Sequence, residues 1–143
     1  MTTEATPEIT QYLKDNRLCV FATGRKDGSP QQSLIGYQFD GKEFLLGGNA
    51  TSAKMRNLRR QPRASIAVID GRRVLLVYGR ARLVEDATEM EKLQQRFGPR
   101  TPPGGAGGRP QVAGGGAPAR GPMGRRVNIL FTAEKYIADR VGG

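Results

Sequence analysis

The chain contains no histidine, and that absence removes Ser-His-Asp triads, Cys-His dyads, imidazole-ligated metals and histidine acid-base steps together. Hydrolase chemistry of the usual kinds is excluded. The single cysteine, Cys19, can neither form an internal disulfide nor supply a multi-thiolate zinc site, and its place in an apolar run reads as a small core residue. No metal site is expected. No window approaches the roughly 18 uninterrupted apolar residues that a membrane span needs, and residues 1–9 are acidic and polar, unlike a signal peptide. A soluble cytoplasmic protein with no membrane partner is the expectation.

What is present suits a single domain: 143 residues, 37% hydrophobic and 25% charged. The net charge of +10 directs attention to anionic partners: nucleic acid, an anionic membrane surface, or a phosphorylated and carboxylated small molecule.

Ile9, Tyr12 and Leu13 at spacings of three and four, after Pro7, predict a short amphipathic helix over residues 7–16. Residues 17–24 form a short apolar run, Lys26 to Pro30 punctuates it, and alternation resumes over 31–39 at Ser33, Ile35, Tyr37 and Phe39. Asp40-Gly41 is a hairpin signal leading into a third strand over 42–46. Thr51 or Ser52 can cap a helix over 53–60 that ends before Pro62. Two β-rich runs, 63–69 and 73–84, flank Asp70-Gly71, and residues 85–97 read as a helix with Met90, Leu93 and Phe97 on one face. A last strand is expected over 125–132. Residues 98–124 hold ten glycines, six prolines, three arginines and no acid, a composition expected of a flexible insertion returning to the same core. Six strands with short helices predict a mainly β protein, an antiparallel barrel with helical decoration, in one domain over 1–143.

Charge is concentrated in residues 54–82, where nine basic side chains accompany one acid, Asp70. Thr51 and Ser52 mark the helix start, where free backbone amides and the dipole favour an anion, and Lys54 and Arg56 would project from the first turn. That makes a candidate phosphate site, with a capped, solvated basic helix as the alternative.

Three segments taken together carry a resemblance: Phe21-Ala22-Thr23; Asp27-Gly28 with Pro30; and the run Thr51-Ser52-Ala53-Lys54-Met55-Arg56-Asn57-Leu58-Arg59-Arg60-Gln61-Pro62-Arg63-Ala64-Ser65-Ile66. In order and spacing they resemble the split-barrel flavin- and deazaflavin-binding proteins related to pyridoxamine 5′-phosphate oxidase. The long run looks most like the actinobacterial branch that uses the deazaflavin coenzyme F420. The resemblance implies a six-stranded split β-barrel of the FMN-binding type, a homodimer with the cofactor in a groove between subunits, and hydride transfer at C5 of the deazaflavin. Carried across by position, Ser52 and Lys54 align with the phosphate-contacting pair, and Thr51, Arg56 and Asn57 occupy the same cofactor loop. Arg59, Arg60 and Arg63 match the pattern too, with Arg63 opening a strand and a solvent-facing role open for Arg59 and Arg60. The chain departs from the family along 32–37, which leaves the acceptor open.

The implied function is that of an F420-dependent oxidoreductase passing hydride to an electron-poor C=C, C=O or quinone-like acceptor. A deazaflavin carries its own hydride, so no histidine is required. FMN as cofactor, a carrier without turnover, and a basic nucleic-acid-binding module are the alternatives. No catalytic side chain is assigned; Tyr37 and Tyr78 are candidate proton donors, with barrel packing as the ordinary role for each.

Overall fold

Every strand pairs antiparallel with two neighbours in the computed structural model, which describes residues 1–98 and 125–141. The strands are β1 (Leu18–Gly24), β2 (Pro30–Phe39), β3 (Glu43–Asn49), β4 (Arg63–Asp70), β5 (Arg73–Val84) and β6 (Arg126–Asp139). They close into a barrel in the order β1-β2-β3-β6-β5-β4, so the mainly β, six-stranded expectation is met. Three helices accompany it: α1 (Pro7–Asp15), α2 (Ala53–Arg60) and α3 (Ala87–Phe97). The insertion expected over 98–124 lies, from residue 99 onward, outside the described residues.

Alternation places Phe21, Phe44, Leu46, Ile66, Val68, Leu75, Val77, Ile129 and Phe131 inside, each almost fully buried. Burial of each large side chain stabilises the fold by about 1.5–3 kcal/mol. Phe131 meets Phe21 and Phe44 edge-on, at ring-centroid separations of 6.3 and 5.6 Å. A second cluster, Leu45, Val84, Leu93 and Leu130, seats α3 on the outside of the barrel.

Three boundaries differ from the sequence expectation. The third strand, expected over 42–46, runs on to Asn49 because Gly47, Gly48 and Asn49 pair with Asn128, Val127 and Arg126 of β6. The last strand runs on to Asp139, because residues 133–139 pair with the first half of β5 across a register shift at Tyr78/Gly79. Gly79 permits that closure: a Cβ there would lie 2.0 Å from the Thr132 carbonyl oxygen. The third helix begins at Ala87, since Asp86 is its N-cap and accepts the Glu89 N–H at 2.8 Å, which leaves Glu85 outside it.

The strand register also fixes which end of the barrel each helix closes. Thr23 of β1 pairs with Ala64 near the start of β4, so α2, which lies between β3 and β4, sits over the end formed by these residues. The opposite end, where β4 turns into β5, receives α1: the Tyr12 hydroxyl donates to the Val68 carbonyl at 2.9 Å, and the Arg73 carbonyl lies 3.1 Å away.

Candidate functional site

α2 begins as a capped helix should, with Ser52 in extended geometry at the N-cap (φ −69°, ψ 162°), yet the Ser52 hydroxyl makes no capping bond. Its Oγ is buried, and it is the buried side-chain oxygen or nitrogen without a partner among the described residues. The first turn carries no acid, so the leading amides of α2, which no helical carbonyl reaches, meet no side-chain acceptor among the described residues. α1 and α3 differ: Thr6 caps Ile9, Asp86 caps Glu89, and each first turn holds a glutamate. The cap expected of Ser52 or Thr51 is therefore not made. Thr51 is exposed and instead donates to Asn49 Oδ1 through both its N–H and its hydroxyl, at 3.0 Å each.

Lys54 does not project into solvent as a first-turn lysine would; only 9% of it is exposed. Its ammonium lies over Gly48 of β3, where a Cβ would come within 2.8 Å of Lys54 Cε and 3.0 Å of Nζ. Burial, with the Arg126 charge adding to it, pushes the Lys54 ammonium below the usual lysine range. No described carboxylate pairs with it, so the start of α2 carries a desolvated cation, an unbonded hydroxyl and open helical amides within one turn. That combination fits a phosphate oxygen set, which would supply the missing acceptors and the missing negative charge. Gly48 lies outside the motif that points to Ser52 and Lys54; its signal in the sequence is the Gly47-Gly48 pair directly after the expected third strand, since glycine at a strand allows close approach.

The remaining predicted residues divide. Asn57 is buried and serves the interior: its amide donates to Thr23 Oγ1 at 3.0 Å, and Thr23 donates to Gln31 Oε1 at 2.8 Å. Gln31 continues the chain to Ser33 Oγ at 2.9 Å. This network ties α2 to β1 and β2 and fixes the helix that carries Lys54. Arg56 donates to the Thr51 carbonyl at 2.6 Å and Arg59 to the Ala50 carbonyl at 3.3 Å, so both brace the loop before α2. Arg60 donates to the Gly24 carbonyl, away from that loop, and Arg63 opens β4 with its side chain exposed.

The basic stretch is also less free than its count implies. Arg59 lies near Glu85, Arg73 pairs with Asp70, Arg80 with Glu134 and Arg82 with Glu89.

The two tyrosines considered as proton donors lie elsewhere. Tyr37 is buried and its hydroxyl donates to the Leu13 carbonyl at 2.7 Å, toward α1. Tyr78 stands on the outside of β5 with the Lys135 ammonium 5.5 Å from its ring centroid. Cys19 is a core residue as expected; burial pushes its thiol up to about 12.

A profile of the family described as pyridoxamine 5′-phosphate oxidase matches residues 5–121. A biliverdin reductase of Mycobacterium tuberculosis (strain CDC 1551 / Oshkosh) that depends on reduced F420 is 29% identical over 101 residues, which cover 69% of this chain and 74% of that protein. Among solved structures, an F420 reductase superposes with a TM-score of 0.59 at 25% identity, covering 89% of this chain and 94% of the other. A conserved hypothetical protein of Mycobacterium tuberculosis gives a TM-score of 0.66 at 24% identity, covering 96% and 87%, and so supports the fold.

Proposed function

The chain belongs to the pyridoxamine 5′-phosphate oxidase family, and from that premise we propose that it is an oxidoreductase holding F420 by its phosphate at the start of α2. The observation that carries this reading is the pairing of a buried, carboxylate-free Lys54 with the unbonded Ser52 Oγ. The relatives that act with F420 give that anion its chemical class. When bound, a reduced deazaflavin supplies hydride at C5 to an electron-poor C=C, C=O or quinone-like acceptor.

The chain's own contribution is binding and orientation. Lys54 supplies the charge, Ser52 Oγ–H and the first amides of α2 supply donors, and Gly48 leaves the space in which the ammonium lies. The Asn57–Thr23–Gln31 network holds α2 at the angle that presents them. Arg56 and Arg59 hold the preceding loop by its carbonyls.

FMN is the second reading, and a specific observation favours keeping it: with Arg73, Arg80 and Arg82 engaged by acids, one phosphate suffices to satisfy Ser52 and Lys54. Titrating the protein with F420 and FMN side by side, following cofactor fluorescence, separates the two. Tighter binding of FMN would reverse the assignment, and binding of neither would end it. An acceptor assay on the F420-loaded protein distinguishes turnover from carriage.

We also propose that the protein is a homodimer. The outward row Leu34, Val20, Ala67, Leu76 and Ile137 crosses five strands through directly paired residues. Around it Leu34 is 68% exposed, Ile69 59% and Tyr78 41%. On a chain of net charge +10, an apolar face on which Lys135 beside Tyr78 is the charge at the margin is where a second copy can approach with little repulsion. Light scattering should report a dimer at micromolar concentration and a monomer for Leu34→Asp; a monomeric parent protein contradicts the proposal.

A further inference from the structure

Where α2, the end of β5 and the start of β6 meet, charges distant in sequence converge. Glu85 accepts from the Arg125 guanidinium at 2.9 Å and lies 3.8 Å from that of Arg59. Both arginines also hold the loop that leads into α2. The Arg59 side chain donates to the Ala50 carbonyl at 3.3 Å, and the Ala50 N–H donates to the Arg125 carbonyl at 2.8 Å. Arg56 holds the next carbonyl, that of Thr51. The loop carrying Ser52 is thus bordered by three arginines, and Glu85 is the acid that faces two of them.

These groups are accessible: the side chains of Arg59, Glu85 and Arg125 are 42%, 40% and 63% exposed. Ion pairs so exposed are weak and exchange readily with other partners. A ligand anion at Ser52 and Lys54 that carries further negative groups has Arg56, Arg126, Arg59 and Arg125 as cations around the loop, and for the last two it must compete with Glu85. A ligand with a lone phosphate has no such competition to meet. Repulsion by Glu85 also grows in proportion to the ligand's charge.

We propose that Glu85 is a specificity-determining residue, an internal counter-ion that engages Arg59 and Arg125 and limits how much affinity the α2 site gains from each additional negative charge on its ligand. The proposal rests on the reading of the start of α2 as a phosphate site. It adds a discriminator between phosphate ligands with and without attached carboxylates or further phosphates.

The test compares inorganic phosphate with tripolyphosphate on the full-length protein, the wild type against Glu85→Gln, by titration calorimetry at low ionic strength. Glu85→Gln should bind tripolyphosphate about tenfold more tightly while its phosphate affinity stays within about twofold, the scale of one charge acting on a multivalent ion near a surface. The gain should vanish in Glu85→Gln/Arg59→Gln and shrink as salt approaches physiological strength, where the screening length is about 8 Å. Equal changes for both probes, no change, or weaker tripolyphosphate binding would overturn the proposal, the last marking Glu85 as a brace for its arginines. A parallel F420 and FMN titration of the wild type keeps the two readings apart. If neither cofactor binds but the tripolyphosphate gain is found, the cofactor reading fails and Glu85 stands; if a cofactor binds and the gain is missing, Glu85 fails alone.

Discussion

α1 and α2 close opposite ends of one barrel with contrasting polar chemistry. At the α1 end polar groups are matched: Thr6 caps the helix, Tyr12 reaches the Val68 carbonyl and Tyr37 the Leu13 carbonyl. The β2–β3 turn at that end is latched as well, Arg96 pairing with both Asp40 and Glu43 at 2.6 Å. At the α2 end Ser52 Oγ is unbonded and Lys54 is buried without a carboxylate. A buried polar group without a partner costs the fold about 1–3 kcal/mol, so the α1 end is built for stability, while the α2 end carries an uncompensated cost that the proposed anion site would offset.

The largest expected effects set the two ends against each other. Lys54→Ala should weaken F420 binding by about 1–3 kcal/mol, the scale of a charge-assisted contact to phosphate, without loss of thermal stability. Tyr12→Phe should do the reverse, costing about 1–3 kcal/mol of stability because it strands the buried Val68 carbonyl, with cofactor affinity unchanged. Chemical denaturation and fluorescence titration of both variants check this; an unaltered affinity in Lys54→Ala would break the contrast.

The two ends should also titrate at opposite ends of the pH scale. For Asp40, burial raises the carboxyl's pKa, but the Glu43 and Lys42 amides and Arg96 outweigh it and hold the group below its ordinary 3.8. Glu43 is likewise held below 4.5, burial being outweighed by hydrogen bonds from Arg96 and Thr132. Carboxyls with lowered folded-state pKa values give stability that is complete above their unfolded values and is lost as pH falls through the folded ones. The Arg96→Gln protein should therefore show a shallower acid-unfolding curve below about pH 4. Lys54 acts in the alkaline range: with its pKa lowered from 10.5 by burial and by Arg126, it binds fewer protons folded than unfolded, so stability rises with pH through that window. Anion affinity should fall over the same window as the ammonium deprotonates. Lys54→Met should flatten both alkaline profiles; persistence of either slope would place the titrating group elsewhere.

A smaller effect is expected at Gly48. The atoms that a methyl group would crowd are the ends of the Lys54 and Met55 side chains, at 2.8 to 3.0 Å, and these can move. Gly48→Ala should cost about 1 kcal/mol of stability or less, while displacing the ammonium enough to weaken binding several-fold.

Much of this contrast is legible in the amino-acid order alone. The bounds of α2 follow from its cap position and Pro62, and Ile9, Tyr12 and Leu13 mark the buried face of α1. What stays hidden depends on long-range pairing. The second half of β6 reads as a mixed polar segment until β5 provides its partner. The nine basic residues of 54–82 look free until Glu134 and Glu89 arrive from other elements. Asn57 fits a cofactor pattern by position, yet its amide turns inward because Thr23 comes to it across the barrel end. The family resemblance aligns Ser52 and Lys54 with a phosphate-contacting pair, but the burial of Lys54 against Gly48 needs β3 beside α2, and the Gly47-Gly48 pair is its one local trace.

The finest division between the two ends lies at the helix caps. Thr6 Oγ1 accepts the Ile9 N–H at 3.1 Å, so Thr6→Ala removes a cap and should cost about 1 kcal/mol. Ser52 occupies the same position on α2 and makes no such bond. Ser52→Ala removes a buried hydroxyl without a partner, and its stability should rise, by up to about 1–3 kcal/mol. Binding should move the other way, with a weakening of about 0.5–1.5 kcal/mol for F420 or FMN in Ser52→Ala and none in Thr6→Ala. Denaturation and fluorescence titration of the pair measure both quantities. A loss of stability in Ser52→Ala equal to that in Thr6→Ala would show that the hydroxyl caps α2 in solution, and the unbonded donor would then no longer support a ligand at that end.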